Sequence, residues 1–123
     1  MAGNRAFGER IRRLREEKKR TNPSFTLRGF AGLVGISPTF LSKVENGEFN
    51  PPARDKIEKM ATLLNADPDE LLALAGKVSE ELQEIVRKTP KAMADFLRTA
   101  HEKGLTEKDI RRLTEQIRQG KKP

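Results

Sequence analysis

The sequence predicts an all-α protein, with a five-helix domain over residues 1–76 and a helical C-terminal segment over residues 77–123. Apolar residues recur every three or four positions through most of the chain, which is the spacing of one helix face. Capping residues and prolines precede these runs, and glycines or prolines follow them. The charged fraction of 35% is also more typical of helical proteins than of β-sandwiches.

The first predicted helix spans about residues 5–20 and carries most of the net charge. Phe7, Ile11 and Leu14 share one face. Residues 1–30 hold nine Lys or Arg and three acidic residues, which is six of the seven net positive charges. The cluster consists of Arg5, Arg10, Arg12, Arg13, Arg15, Lys18, Lys19 and Arg20. It is either a solvated helix face or a surface that holds phosphate.

Residues 26–47, TLRGFAGLVGISPTFLSKVENG, predict two short helices joined by a tight turn. Gly35 supplies the backbone freedom that the turn needs. Ser37 can cap the second helix and Pro38 suits its first position. The apolar positions that face inward are Leu27, Phe30, Ala31, Val34, Leu41 and Val44. Small polar, aromatic and basic side chains are left on the outside of the second helix, and such a helix fits the DNA major groove.

The same signals predict the remaining helices. Two helices over about residues 53–65 and 68–75 complete the first domain, after a Phe-Asn-Pro-Pro linker that cannot continue a helix. Three more helices are predicted in the C-terminal segment. The first follows Ser79, the second begins at Pro90 and the third follows Thr106, which forms a capping box with Asp109.

The C-terminal segment has fewer than 50 residues, too few for a comfortable core of its own. Its apolar faces therefore pack either on the first domain or on a second copy, and we expect a homodimer because symmetric dimers read palindromic sites. The expected dimerisation residues are Met93, Phe96, Leu97, Ile110, Leu113 and Ile117.

Residues 25–52, FTLRGFAGLVGISPTFLSKVENGEFNPP, resemble the phage-repressor/Cro-like (XRE) helix-turn-helix family. The resemblance covers about residues 7–75 and lies in Ala31, Gly35, Ser37-Pro38, Leu41-Ser42, Glu45-Asn46-Gly47 and Asn50-Pro51. It implies a five-helix phage-repressor-like domain in a dimeric repressor of transcription, whose partner is double-stranded operator DNA. The second helix of the pair would enter the major groove.

The resemblance also implies site residues. Those expected along the recognition helix are Ser37, Pro38, Thr39, Phe40, Ser42, Lys43 and Asn46. At the DNA backbone we expect Thr26 and Arg28, from the start of the second helix, and also Arg13 and Lys18, from the basic cluster of the first helix. Leu27 departs from the pattern, because some members have a glutamine there that holds phosphate.

Three side chains carry sharper expectations. Lys43 can reach guanine O6 and N7 or a phosphate. Phe40 is expected to be an exposed aromatic that contacts thymine methyls or sugars, the alternative being burial against the first helix or the linker. Glu45 is expected to pair with an arginine of the first helix, because phosphate repels a carboxylate.

The chain shows no sign of enzyme chemistry. It has no cysteine, and it lacks a metal-ligand cluster, a phosphate-binding glycine-rich loop and a nucleophile elbow. We expect no catalytic residues, no metal and no cofactor. No signal peptide or membrane span is legible, which favours a cytoplasmic protein.

Two alternatives stay open. The first is an antitoxin and autorepressor of a toxin–antitoxin pair, whose C-terminal helices bind a regulatory protein partner. The other alternative is a protein-interaction module that no longer reads DNA sequence.

Overall fold

A computed structural model describes residues 3–120, and every regular element in that range is helical, as the sequence predicts. The helices are α1 (Arg5–Lys19), α2 (Leu27–Val34), α3 (Pro38–Glu45), α4 (Arg54–Leu64), α5 (Pro68–Leu74), α6 (Glu80–Lys88), α7 (Pro90–Glu102) and α8 (Glu107–Arg118). The boundaries lie within a residue or two of those expected from capping signals.

Local side-chain chemistry explains where the helices begin. Asp67 caps α5, and its carboxylate accepts from the Asp69 N–H at 2.9 Å. Thr106 and Asp109 form the predicted capping box at the start of α8. Asn4 caps α1 with its side-chain oxygen, a cap that was not among those expected.

A short 3-10 helix, Pro23–Phe25, follows α1 where the sequence predicted only a break. It buries Phe25, and the centroid of the Phe25 ring lies 5.5 Å from that of the Phe30 ring. The loop is therefore part of the core.

The first unit ends at Glu80 and is built around one apolar core. Its buried members are Phe7, Ile11, Phe25, Phe30, Ala31, Val34, Leu41, Val44, Ile57, Met60, Ala61, Leu64, Leu71 and Leu72. At Gly8, α1 meets the end of α3 so closely that a Cβ there would lie 2.2 Å from the Val44 carbonyl oxygen. This contact sets the position of α3 against α1.

The second unit begins at Glu81, whereas the sequence placed the boundary after Gly76. Helices α7 and α8 contain no buried residue. Together they line a cavity of about 230 Å³ whose walls are almost entirely apolar, including Phe96, Leu97 and Ile117. In residues 3–120 no helix has the length and apolar character to span a membrane.

Candidate nucleic-acid interface

Helices α2 and α3 meet at the predicted tight turn. Gly35 has a φ of 90°, a left-handed conformation that glycine adopts without strain. Ile36 packs against the core at the corner, and Leu41 and Val44 are fully buried behind α3. The inner face of α3 is thereby fixed, and its other face is left for contacts outside the core.

A groove of about 350 Å³ runs along the outer face of α3. It is lined by Leu27, Pro38, Thr39, Ser42, Lys43, Asn46 and Glu48. Five of the seven residues expected along the recognition helix are among them. The structure therefore brings most of the predicted base-facing set to one surface.

Ser37 and Thr26 fix the starts of the two helices. The Ser37 hydroxyl accepts from the Phe40 N–H at 3.0 Å, and the Thr26 hydroxyl accepts from the Gly29 N–H at 3.1 Å. Each hydroxyl accepts in its cap and keeps its own O–H to donate, so a phosphate can be bound by these hydroxyls as well as by the free N–H groups of the first helical turn. Arg28 is exposed in the first turn of α2.

Phe40 is not the exposed aromatic that the sequence predicted. It is half-buried and packs against the edge of the core. Its ring lies 6.1 Å from that of Phe49 in the linker after α3, measured between centroids. Phe40 therefore packs against the linker, which was the alternative expectation.

Lys43 lies between two residues of that linker. Its ammonium is 3.5 Å from the Glu48 carboxylate and 5.5 Å from the centre of the Phe49 ring. The backbone holds this arrangement, because the N–H groups of Glu48 and Phe49 both donate to the Lys43 carbonyl, at 2.8 and 3.2 Å. Sequence reasoning missed Glu48, although the Asn46-Gly47 helix end already indicated that the chain folds back there.

An arginine–glutamate network joins α1 to the end of α3. Arg15 donates from Nε to Oε2 of Glu45 at 2.8 Å and from Nη2 to Oε1 at 2.9 Å. This bidentate hydrogen bonding raises the pKa of Arg15. The expected pairing of Glu45 with an arginine of the first helix is thus confirmed. Arg12 adds a hydrogen bond to the Asn46 amide oxygen.

Two of the cations expected at the DNA backbone lie away from the groove. Lys18 donates to the Leu63 carbonyl at 2.5 Å, with its ammonium 4.9 Å from the centre of the Phe25 ring. Arg13 is exposed and lines separate hollows, one of them with Glu9 and Arg12. The fold therefore does not bring Lys18 or Arg13 to the same surface as Lys43.

A family model described as a helix-turn-helix domain matches residues 6–74, more than half of the chain. The chain belongs to the helix-turn-helix family. The match covers α1 to α5 and confirms the resemblance to phage-repressor/Cro-like regulators that the sequence indicated.

Two relatives of this helix-turn-helix chain come from Bacillus subtilis (strain 168). An uncharacterized HTH-type transcriptional regulator, RghRB, is 34% identical over 79 residues, covering 64% of this chain and 53% of the relative. An HTH-type transcriptional repressor, RghR, is 35% identical over 75 residues, covering 61% and 52%. The chain thus spans about half the length of these relatives.

A solved structure of a SinR protein/SinI protein complex contains a chain that is similar to this one at 22% identity and a TM-score of 0.49. The comparison covers 94% of this chain and 97% of that chain.

Proposed function

We propose that this protein is a sequence-specific DNA-binding regulator of transcription, a dimeric repressor that reads a palindromic operator in the cytoplasm. The observation that carries the proposal is the outer face of α3, where Pro38, Thr39 and Lys43 line one groove. Small polar and basic side chains on a short, firmly supported helix are suited to base edges in the major groove. The relatives named as a transcriptional regulator and a repressor support it.

The charge distribution supports the same proposal. The net charge of +7 favours a polyanionic partner, and Arg28 is exposed beside the groove residue Leu27, although Arg13 and Lys18 of α1 lie away from the groove. In this proposal Arg28 and the N-terminal turns of α2 and α3 hold phosphates, while α3 contacts bases. Affinity would then fall steeply with salt, because each neutralised phosphate releases counterions.

Selection of bound duplexes from random sequence tests the proposal directly. We expect an enriched palindrome whose half-sites lie about 10 base pairs apart or a multiple of that. In a titration at fixed salt, the selected duplex should bind about 10³–10⁷ times more tightly than random duplex. Binding without an enriched sequence would contradict specific reading and favour the interaction-module alternative.

Dimerisation is proposed from the apolar face of α7 and α8. Phe96, Leu97 and Ile117 are each more than half exposed, Ile110 and Leu113 line the same cavity, and Met93 of α7 is half-buried. Monomeric proteins rarely expose a continuous apolar surface of this kind, because its contact with water is unfavourable. A second copy can cover it isologously and give the two-fold symmetry that a palindrome requires.

Sedimentation of the full chain tests this part of the proposal. Phe96→Glu should yield monomers and weaken operator binding, because the two half-sites are then bound independently. Lys91→Gln is the matched control, because it lowers the net charge by the same one unit and the Lys91 side chain is 90% exposed. Lys91 lies away from the apolar face, about 140° around α7 from Phe96 and about 120° from Leu97. A wild-type chain that stays monomeric but co-purifies with a small protein would favour the antitoxin alternative.

A further inference from the structure

The groove along α3 contains the carboxylate of Glu48, which cannot bind a phosphate and has no role in the base contacts proposed above. Among the residues that line it, Lys43 and Glu48 are the two charged ones. Their side chains are 41% and 54% exposed, and their charged atoms lie 3.5 Å apart. At the surface proposed to contact DNA, the positive charge of Lys43 is therefore paired with the negative charge of Glu48.

The position of Glu48 is set by backbone geometry. Gly47 has a φ of 77°, and a Cβ there would lie 3.1 Å from the Arg5 Cα, so any other residue would be strained and crowded at this turn against α1. The turn sends the Glu48 N–H back to the Lys43 carbonyl at 2.8 Å. The carboxylate is thus placed beside the Lys43 ammonium by a short, well-anchored connection.

Phe49 also contacts the Lys43 side chain. Its ring is 5.5 Å from the ammonium and also packs on Phe40, which in turn packs against the core. Glu48 and Phe49 together hold the cation at the groove, instead of leaving it to reach any nearby phosphate.

We propose that Glu48 is a specificity-determining residue, which holds Lys43 for a guanine edge and disfavours binding to DNA of unrelated sequence. The proposal rests on the proposed function above. A phosphate that approaches this end of α3 meets a like charge, and Lys43 must leave its carboxylate partner to reach it. On the cognate site the guanine O6 and N7 acceptors replace that partner. At an unrelated sequence no such pair of acceptors lies in register with Lys43, so the loss of its contact with Glu48 is not offset.

The test compares Glu48→Gln with wild-type chain on a selected duplex and on random duplex. An exposed ion pair contributes on the order of 0.2–1 kcal/mol, so we expect Glu48→Gln to bind random duplex about 1.4- to fivefold more tightly. Affinity for the selected duplex should change less, so the specificity ratio falls. The salt slope on random duplex should steepen by about 0.9, because Lys43 gains a phosphate contact.

Two controls make the result interpretable. Glu58→Gln removes the same charge from an exposed position on α4 that does not line the groove, and its specificity ratio should equal that of wild type. In Glu48→Gln/Lys43→Ala the extra salt dependence should disappear. Thermal unfolding of each variant shows that the fold is retained.

The outcomes separate the two proposals. If wild-type chain selects a site but Glu48→Gln keeps the wild-type ratio, or changes it no more than Glu58→Gln does, the role of Glu48 is overturned and specific reading stands. If wild-type chain selects no site, the proposed function itself fails. A loss of affinity for the selected duplex alone in Glu48→Gln would mean that Glu48 accepts from a base directly, which also overturns the holding role.

Discussion

Arg15 of α1 and Glu45 of α3 form a bidentate ion pair inside the protein, with side chains that are only 7% and 1% exposed. The N–O distances of 2.8 and 2.9 Å are those of charge-assisted hydrogen bonds. Arg15 also donates to the Phe25 carbonyl at 3.2 Å, so one guanidinium joins α1, the 3-10 helix and α3. The helix proposed to read DNA is therefore held from behind by a charged contact as well as by apolar packing.

Replacing Arg15 alone should be severely destabilising. Arg15→Met leaves the Glu45 carboxylate buried with only the longer Arg12 contact at 3.5 Å, and breaking such pairs costs about 3–5 kcal/mol. The measurement is the free energy of unfolding from urea titration. Arg13→Met is the control, since Arg13 is exposed on the same helix and its loss should change stability by less than about 0.5 kcal/mol.

The double variant Arg15→Met/Glu45→Leu distinguishes two contributions to the loss of stability. One is the loss of the Arg15–Glu45 contact, and the other is the cost of leaving the Glu45 carboxylate buried without its partner. It should recover most of the stability, because apolar replacements of buried pairs are often neutral. If the double variant is no more stable than Arg15→Met, the loss of stability comes mainly from the packing around the guanidinium and not from the unpaired carboxylate.

Gly8 should tolerate no side chain, whereas Gly32 should benefit from one. A Cβ at Gly8 would lie 2.2 Å from the Val44 carbonyl oxygen and 2.8 Å from that of Glu45, and backbone atoms cannot rotate away. Gly8→Ala should therefore destabilise by about 1–3 kcal/mol despite its better helix propensity. Gly32→Ala, with nothing within 4 Å, should stabilise by about 0.5–1 kcal/mol.

Thermal unfolding of both variants checks this pair of predictions, and the difference between them matters most. Both substitutions add the same methyl group to a helix, so propensity alone predicts the same sign for each. Equal effects at the two positions would mean that α1 and α3 can separate at Gly8 without loss.

The sequence predicted the helices well because their boundaries depend on neighbouring residues. Ser37 caps α3 and Gly35 turns the chain whatever the rest of the protein does. The pairing of Glu45 with α1 was predictable from charge alone. The choice of arginine follows from the helical spacing, because Arg15 comes four residues after Ile11 on the apolar face of α1, and Arg13 lies about 200° around the helix from Arg15. The hydrogen bond from Arg15 to the Phe25 carbonyl was not predictable, because it depends on a 3-10 helix where the sequence indicated only a break.

The candidate site was predictable along α3 and less so beside it. The outward positions of Thr39 and Lys43 follow from the burial of Leu41 and Val44. The half-burial of Phe40 depends on Phe49, which reaches it only because the linker folds back after Gly47. Such contacts between side chains of an irregular segment carry no periodic signal.

Lys43 should be the side chain of α3 whose loss changes sequence preference most. If it reads a guanine, Lys43→Ala weakens operator binding by roughly 1–3 kcal/mol and relaxes the preference at one base pair in each half-site. Lys59→Ala is the charge-matched control, because Lys59 is exposed on α4 outside the groove. Titration against single-base operator variants measures both effects. An unchanged preference together with a shallower salt slope would place Lys43 on a phosphate.

The capping box of α8 should make the start of that helix sensitive to acid. The Thr106 N–H donates to Asp109 Oδ2 at 2.9 Å, and this bond lowers the pKa of Asp109 from its ordinary value of 3.8. A depressed folded-state pKa means that the cap is fully formed above about pH 3.8 and is lost as pH falls through the lower folded value. NMR titration of the Asp109 carboxyl and of the Thr106 amide measures this. Asp109→Asn should remove the transition of that amide, and Thr106→Ala should raise the Asp109 pKa towards its ordinary value, because both hydrogen bonds of the box are weakened or lost. A wild-type Asp109 that titrates at or above 3.8 would contradict the box as a charged contact in solution.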